Sequence, residues 1–264
     1  MKKFVAITAV LFLLASLSFS GQSHAQDTAI PEEVKRQIEI LQSGTTKEKI
    51  NAARTLGKIG SEAVPAAVYL IELLDSPKKY RSPLDKILNV VTIVGKFGDK
   101  VSIESQHALI KIGGPAVGPL SEALLNDSRS RVRYNAAIAL GDIKDAGSID
   151  TLITALQKDV DYQVRMYSAE ALGEMAEKWS IELLDNAVTA LMEALKDNDQ
   201  NVRQKAAAAL GKIKSMRSVP ALIEALQTYG KDSNAAPALS KISLQHLGND
   251  PQKWQKWYDS NKQD

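Results

Sequence analysis

Apolar residues recur at helical spacing along this chain, and the same arrangement returns several times. From Val202 the apolar positions are Val202, Ala206, Ala209, Leu210 and Ile213; from Val219 they are Val219, Leu222, Ile223 and Leu226. Each set draws one stripe along an α-helix, so the pair predicts a helical hairpin. The first stripe belongs to the phrase VRQKAAAALGKI, which recurs as VRYNAAIALGDI from Val132 and VRMYSAEALGEM from Val164. A second apolar run follows each copy: Ile149 to Leu156, Val188 to Leu195, and Val219 to Leu226. One hairpin cannot hide both of its stripes, so successive hairpins must stack on one elongated core, and the pattern predicts an all-α solenoid.

Earlier segments carry weaker copies. Asp27 or Thr28 is expected to cap a first helix with Pro31 near its first turn, and Gly44 to end it. Thr45 and Glu48 read as a capping box for a helix over Lys49 to Ile59, which contains NAARTLGKIG with Lys49 in the arginine position. Its partner is expected from Ala63 to Leu74, with Val64, Ala67, Val68 and Ile71 as its stripe. A degenerate copy, HALIKIGGPAVGPLSEALL, starts at His107; Glu104 and Ser105 stand where the others have Val-Arg. The glycine-rich stretch from Gly113 to Gly118 reads as the turn of that hairpin. Gly57, Gly113, Gly141, Gly173 and Gly211 are taken as equivalent anchors. Residues 76–100 then form an insertion, and extra material is expected near Trp179. The last copy, AAPALSKIS from Ala235, places Pro237 where a helix interior is expected. The pairs Ala136-Ala137 and Ala206-Ala207 are expected to allow close helix approach.

The N-terminus changes the charge argument. Lys2 and Lys3 precede an apolar run from Phe4 to Leu17, and Ser23-His24-Ala25 supplies small residues before a cleavage site after Ala25. Residues 1–25 therefore read as a secretory signal peptide, and the apolar run falls short of the roughly 20 residues that span a bilayer. The chain holds 33 basic and 31 acidic side chains, and two lysines lie in the leader, leaving 31 of each. Such a balance lacks the electrostatic footprint of a nucleic-acid binder. The chain has no cysteine, which rules out disulfides, thiolate metal sites and a cysteine nucleophile. The expected address is periplasmic or secreted, with no membrane span after cleavage.

The recurring phrases resemble HEAT repeats, in particular the short HEAT-like repeats associated with phycobilisome lyase subunits. The resemblance covers roughly Lys35 to Ile242 and is strongest in the copies at 132, 164 and 202. It implies a right-handed α-α superhelix of HEAT-like or armadillo type over 26–249, with 250–264 as a Trp-containing C-terminal cap. It also implies a binding surface or scaffold rather than one activity. Deoxyhypusine-hydroxylase-type members hold two irons with His-Glu pairs, whereas His107 and His246 are followed by Ala108 and Leu247. Bilin-lyase-type members work beside intracellular proteins, against which the leader argues. HEAT-like DNA glycosylases need a basic face. No G-x-S-x-G elbow and no G-x-x-x-x-G-K-[ST] phosphate loop occurs. No cofactor and no metal site is expected. The reading is a non-catalytic, exported protein- or peptide-binding scaffold; the alternative is an enzyme, or an enzyme accessory subunit, of lyase or hydroxylase type.

Three groups of residues are candidates for function or for architecture. Asp127, Asp159 and Asp197 each precede Arg133, Arg165 and Arg203 by six residues, which reads as a structural ladder between repeats. Asp161 and Asp199 look like N-caps. In this repeat type the second helices line the concave side, and Tyr69, Glu122, Thr154, Glu193 and Glu224 form a mildly acidic column there, a candidate partner groove. Lys78, Lys79, Tyr80 and Arg81 in the insertion are a second candidate contact. Trp254, Trp257 and Tyr258 share one helix face, and are expected to close the end of the last hairpin rather than to form a sugar or peptide platform.

Overall fold

The computed structural model describes residues 30–75 and 100–261. The leader, the segment 76–99 with Lys78, Lys79, Tyr80 and Arg81, and the cap candidates Asp27 and Thr28 lie outside the described residues. Among the described residues the chain is all-α with no strand. The helices are α1 (Glu32–Ser43), α2 (Thr46–Ile59), α3 (Ala67–Glu72), α4 (Lys100–Ile112), α5 (Val117–Asn126), α6 (Ser130–Ile143) and α7 (Ile149–Lys158). Then follow α8 (Tyr162–Met175), α9 (Asp185–Ala194), α10 (Gln200–Ile213), α11 (Val219–Tyr229), α12 (Ala235–Ser243) and α13 (Pro251–Asn261). The first helices α2, α4, α6, α8, α10 and α12 pack on one another in order. The second helices α3, α5, α7, α9 and α11 form a parallel layer, which α13 extends by packing on α11.

One core runs between the layers from Val34 to Trp254. Leu56, Leu109, Leu140, Leu172 and Leu210 line it from the first layer; Leu70, Leu120, Leu152, Leu191 and Leu222 line it from the second. All ten are fully buried. Each contributes about 1.5–3 kcal/mol by leaving water. The helix starts follow local chemistry. The Thr45 capping box is complete: Thr45 N–H donates to Glu48 Oε2 at 2.7 Å and Glu48 N–H to Thr45 Oγ1 at 3.4 Å. Asp161 caps α8 through Gln163 N–H, and Asp199 caps α10 through Asn201 and Val202 N–H.

The structure corrects the repeat register in the first half. Gly113 is not an anchor: it follows α4 at φ 74°, ψ −139°, a backbone region closed to other residues, and serves the turn into α5. The position matching Gly57, Gly141, Gly173 and Gly211 is Ile110. Val101 and Ser102, not Glu104 and Ser105, therefore stand in the Val-Arg place, and from Ile110 to Gly211 the spacings become 31, 32 and 38 residues.

The glycines explain the recurring phrase. A Cβ on Gly141, Gly173 or Gly211 would come within 2.8–2.9 Å of Ala171, Ala209 or Ala238 on the next first helix. Bare backbone thus lets each helix seat on the alanine two residues before the next anchor position. Ala136, Ala137, Ala206 and Ala207 are fully buried as well. Two further expectations shift. Gly60 to Ala66 forms a 3-10 turn around Pro65, so the second helix of the first hairpin begins at Ala67; Val68 is 42 % exposed while Leu70 and Leu74 are buried. Pro237 falls in the first turn of α12, where no intrahelical N–H is required of it.

Candidate functional site

The aspartates and arginines of the recurring phrase meet at the loops that join hairpins. Arg133 donates through Nε and Nη2 to the Asp159 carboxylate at 2.7 and 3.0 Å, and through Nη1 to the Asp127 carbonyl at 2.9 Å. Arg165 repeats this with the Asp197 carboxylate at 2.8 and 2.9 Å and the Asp159 carbonyl at 2.9 Å. Each arginine thus ties the loop before its hairpin to the loop after it. The Asp159 and Asp197 carboxylates also accept the N–H two residues on, at 2.8 Å. Burial works against ionising Asp197, but Arg165 and the Asp199 N–H outweigh it and hold its carboxyl below the usual range. Asp197 in turn raises Arg165, chiefly by hydrogen bonding.

The remaining hairpins keep half of this device. Lys49 reaches the Gln42 carbonyl at 3.3 Å and Ser102 the Leu74 carbonyl at 2.8 Å. Both occupy the arginine position and both reach back to the preceding second-type helix. Asp127 has no arginine behind it and pairs with Arg129 at 2.7 Å. Arg203 donates to the Asp197 and Asn198 carbonyls, but its own hairpin ends in Tyr229 where the others end in aspartate. The Tyr229 ring lies 4.3 Å from the guanidinium carbon, a cation-π contact in place of a carboxylate. Arg203 Nε is left buried without a partner among the described residues.

On the second-helix face the column differs by one member. The pattern L-x-E-A-L aligns Leu70-Ile71-Glu72-Leu73-Leu74 with the later repeats, so Glu72 takes the place expected for Tyr69, which packs against the core. Tyr69 follows Val64 by five residues, whereas Glu72 follows Ala67, where the helix begins, by five. The column is therefore Glu72, Glu122, Thr154, Glu193 and Glu224. Neighbours occupy its acids: Arg129 bonds Glu72 at 3.2 Å, Asn126 bonds Glu122 at 2.9 Å, Gln157 bonds Glu193 at 2.9 Å and Lys196 bonds Glu224 at 2.8 Å. Thr154 Oγ1 donates within its own helix to the Asp150 carbonyl. Two grooves flank the column. One of about 270 Å³ lies between α5 and α7, bordered by Leu125, Arg133, Lys158 and Val160; the other, of about 130 Å³, is bordered by Lys196, Glu224 and Tyr229. Val160 is 91 % exposed. Sequence reasoning passed over Lys158, Val160 and Lys196, which become neighbours of the column only when hairpins stack.

On the first-helix face a cavity of about 230 Å³ opens between α6 and α8, lined by Ile138 and Asp142 of α6 and by Tyr167, Glu170 and Glu174 of α8. Burial pushes the Asp142 carboxyl up, and Glu174 adds to the shift. Lys205 and Lys212 pair with Glu170 and Glu174 at 2.6 and 2.5 Å. No three His, Cys, Asp or Glu side chains among the described residues are placed to share a metal ion. No helix among the described residues is long and apolar enough to cross a membrane. At the C-terminus Trp254 is buried and its indole N–H donates to the Gly248 carbonyl at 2.7 Å. Trp257 meets Trp254 edge-on at 6.3 Å, and Trp257 and Tyr258 lie half-buried against the core. In the long connection after α8, the Trp179 indole N–H donates to the Lys144 carbonyl at 3.0 Å.

Stacked hairpins, anchored by glycine and laced by arginine, define a class, the helical-repeat solenoids. The family model of HEAT repeats matches residues 91–173, 117–188 and 149–240, and the chain belongs to that family. No curated protein matches this sequence. Among solved structures, Kap95p bound to RanGDP is similar with a TM-score of 0.54 and 15% identity, over 79% of this chain and 30% of that one. The complex of CpcE and CpcF of phycocyanin lyase from Nostoc sp. PCC7120 gives 0.49 and 20%, over 69% and 98%. An engineered protein gives 0.45 and 23%, over 81% and 98%. These likenesses concern the fold.

Proposed function

We propose that this protein is an exported, non-catalytic scaffold whose second-helix face, concave in this repeat type, docks a segment of a protein partner. The observation that carries the reading is the glutamate column Glu72, Glu122, Glu193 and Glu224, set at repeat spacing beside two grooves. Carboxylates repeated on successive helices can follow an extended or helical segment with basic and polar side chains, and the grooves beside Leu125 and Val160 accept its apolar ones. Each glutamate exchanges a neighbouring Lys, Arg, Gln or Asn for the incoming group, so the charges contribute to specificity and encounter rate more than to raw affinity. The fold supports the same reading: in Kap95p a solenoid of this kind engages RanGDP.

Crosslinking in intact cells identifies the partner, and binding of that partner to purified protein then tests the face. The double variant Glu193→Lys, Glu224→Lys should weaken binding about tenfold or more, a loss of roughly 1.4 kcal/mol, with unchanged melting. Unaltered affinity would remove the second-helix face from the proposal. Export is tested separately: protein recovered from the periplasm or medium should begin at Gln26, and a full-length cytoplasmic protein would contradict it.

A further inference from the structure

Each first helix from α2 to α10 is covered by the first helix that follows it. α12 has no such cover among the described residues. The C-terminal helix α13 packs on α11, so it extends the second-helix layer and leaves the first-helix layer open at this end. The open side of α12 borders a groove of about 770 Å³ walled by Ala236, Pro237, Ser240, Leu244 and the loop carrying His246. Leu244 closes the helix through its N–H to the Ser240 carbonyl, takes a left-handed backbone at φ 60°, and is 78 % exposed.

The filled interfaces of the same molecule show what α12 accepts. At each of the last three, the anchor glycine of the earlier helix meets an alanine of the later one. Between α8 and α10 the rim is closed by lysine-carboxylate pairs, Lys212 with Glu174 and Lys205 with Glu170. In this register Ser240 holds the anchor place of α12, and Lys241 holds the place of Glu174. Lys241 has no ion pair among the described residues, and the lining of the groove contains no carboxylate. A helix that covers α12 therefore brings a small residue to Ser240, an apolar one to Leu244 and a carboxylate to Lys241. A second copy of this chain is a poor fit. At the far end of the layer α2 exposes Lys47 and Lys58, while its Arg54 is turned to Glu104 of α4 at 2.6 Å, so end-to-end stacking would set Lys58 against Lys241.

We infer that the open face of α12 is a docking site for an acidic amphipathic helix of a partner protein, which continues the first-helix layer by one helix. The inference shares with the proposed function only the expectation of a protein partner; the surface is a different one.

The test uses two stapled helical peptides as probes against the full-length protein at low salt, followed by NMR. One has the sequence of residues 162–175, which presents Ala171 and Glu174; the other that of residues 200–213, which presents Ala209 and Lys212. The acidic peptide should shift resonances between Ala236 and Leu244. Lys241→Glu should weaken it about tenfold and favour the lysine peptide instead, and Leu244→Asp should weaken both. Both side chains are exposed, so the variants keep the fold, and their melting is measured alongside. Absence of shifts in α12 at millimolar peptide, or binding of both peptides regardless of the charge at 241, overturns the inference. Self-association in sedimentation that Leu244→Asp abolishes also overturns it, in favour of a second copy. If the peptides fail while Glu193→Lys, Glu224→Lys still loses the partner, only this inference falls.

Discussion

The interface between α8 and α10 and the interface between α4 and α6 perform the same task with different residues. In the first, Gly173 seats on Ala209 and Arg165 clamps the Asp197 carboxylate while holding the Asp159 carbonyl. In the second, Ile110 replaces the glycine and Ser102 the arginine, and the two helices pack less closely. There Ser102 and Asn135 both donate to the Leu74 carbonyl, at 2.8 and 3.0 Å, and Gln106 to the Asn135 carbonyl at 3.2 Å. The hydrogen bond back to the preceding second helix survives in both. What changes is the second half of the clamp and the closeness of the backbones. The core stripe runs through every hairpin and the backward bond through the first helices from α2 to α10; the glycine contact, already present where Gly57 meets Ala108 at 3.2 Å, lapses only between α4 and α6, and the full arginine clamp belongs to Arg133 and Arg165.

The largest test of that contrast lies in the shared stripe. Leu210→Ala should cost about 2–5 kcal/mol in denaturant unfolding, the range for a buried leucine; a change near zero would mean the stripe faces no core. Gly173→Ala comes next. Its Cβ would sit 2.8 Å from the Ala209 backbone, so the helices must part, at a cost of about 1–3 kcal/mol despite the better helix propensity of alanine. Gly118→Ala, on α5 with nothing within 4 Å, should instead stabilise by about 0.5–1 kcal/mol. If both glycines respond alike, close approach is not what Gly173 provides.

Arg165→Ala should cost about 1.5–3 kcal/mol because it leaves the Asp197 carboxylate unpaired, whereas Ser102→Ala should cost about 0.5–1.5 kcal/mol. Equal losses would erase the distinction between a clamp and a simple backward bond. The smallest effects are in pH dependence. The Asp197 carboxyl is lowered, so its stabilisation is present above the usual carboxylate range and is lost as pH falls through its folded value. Asp142 is raised, so the stability linked to it is present below its unfolded value and is lost as pH rises through its folded one. Urea unfolding between about pH 3 and 7 should show a shallower acid loss for Arg165→Ala and, near neutrality, a slightly more stable Asp142→Asn protein. A less stable Asp142→Asn would assign that carboxylate a favourable contact.

Much of the molecule was legible from residue order, and most of the misses share one cause. The hairpins from Val132 onward follow from apolar periodicity, and their arginine and aspartate positions were visible as a column of fixed offset. The errors cluster before Val132, where copies are degenerate. Gly113 was matched to the wrong glycine because a turn glycine and a helix-packing glycine look alike in a string of letters. Tyr69 was placed on the acidic column, and Val68 in the core, because Pro65 delays the second helix until Ala67. Tyr229 drew no attention, although it stands where its counterparts end in aspartate. Its partnership with Arg203 is a contact across 26 residues that no local pattern announces.

Sequence alone determined that the chain is a stack of helical hairpins, because the spacing of apolar residues is a local property that backbone geometry converts directly into buried stripes. It also determined which residue types recur at the loops. Tertiary structure decided which of those residues meet: which glycine lies against an alanine, which aspartate an arginine clamps, which glutamates share a face and which helix of the last hairpin stays open. Those outcomes depend on how one hairpin is translated and rotated onto the next. That displacement is set by the packed surfaces of both hairpins together and is written in neither one by itself.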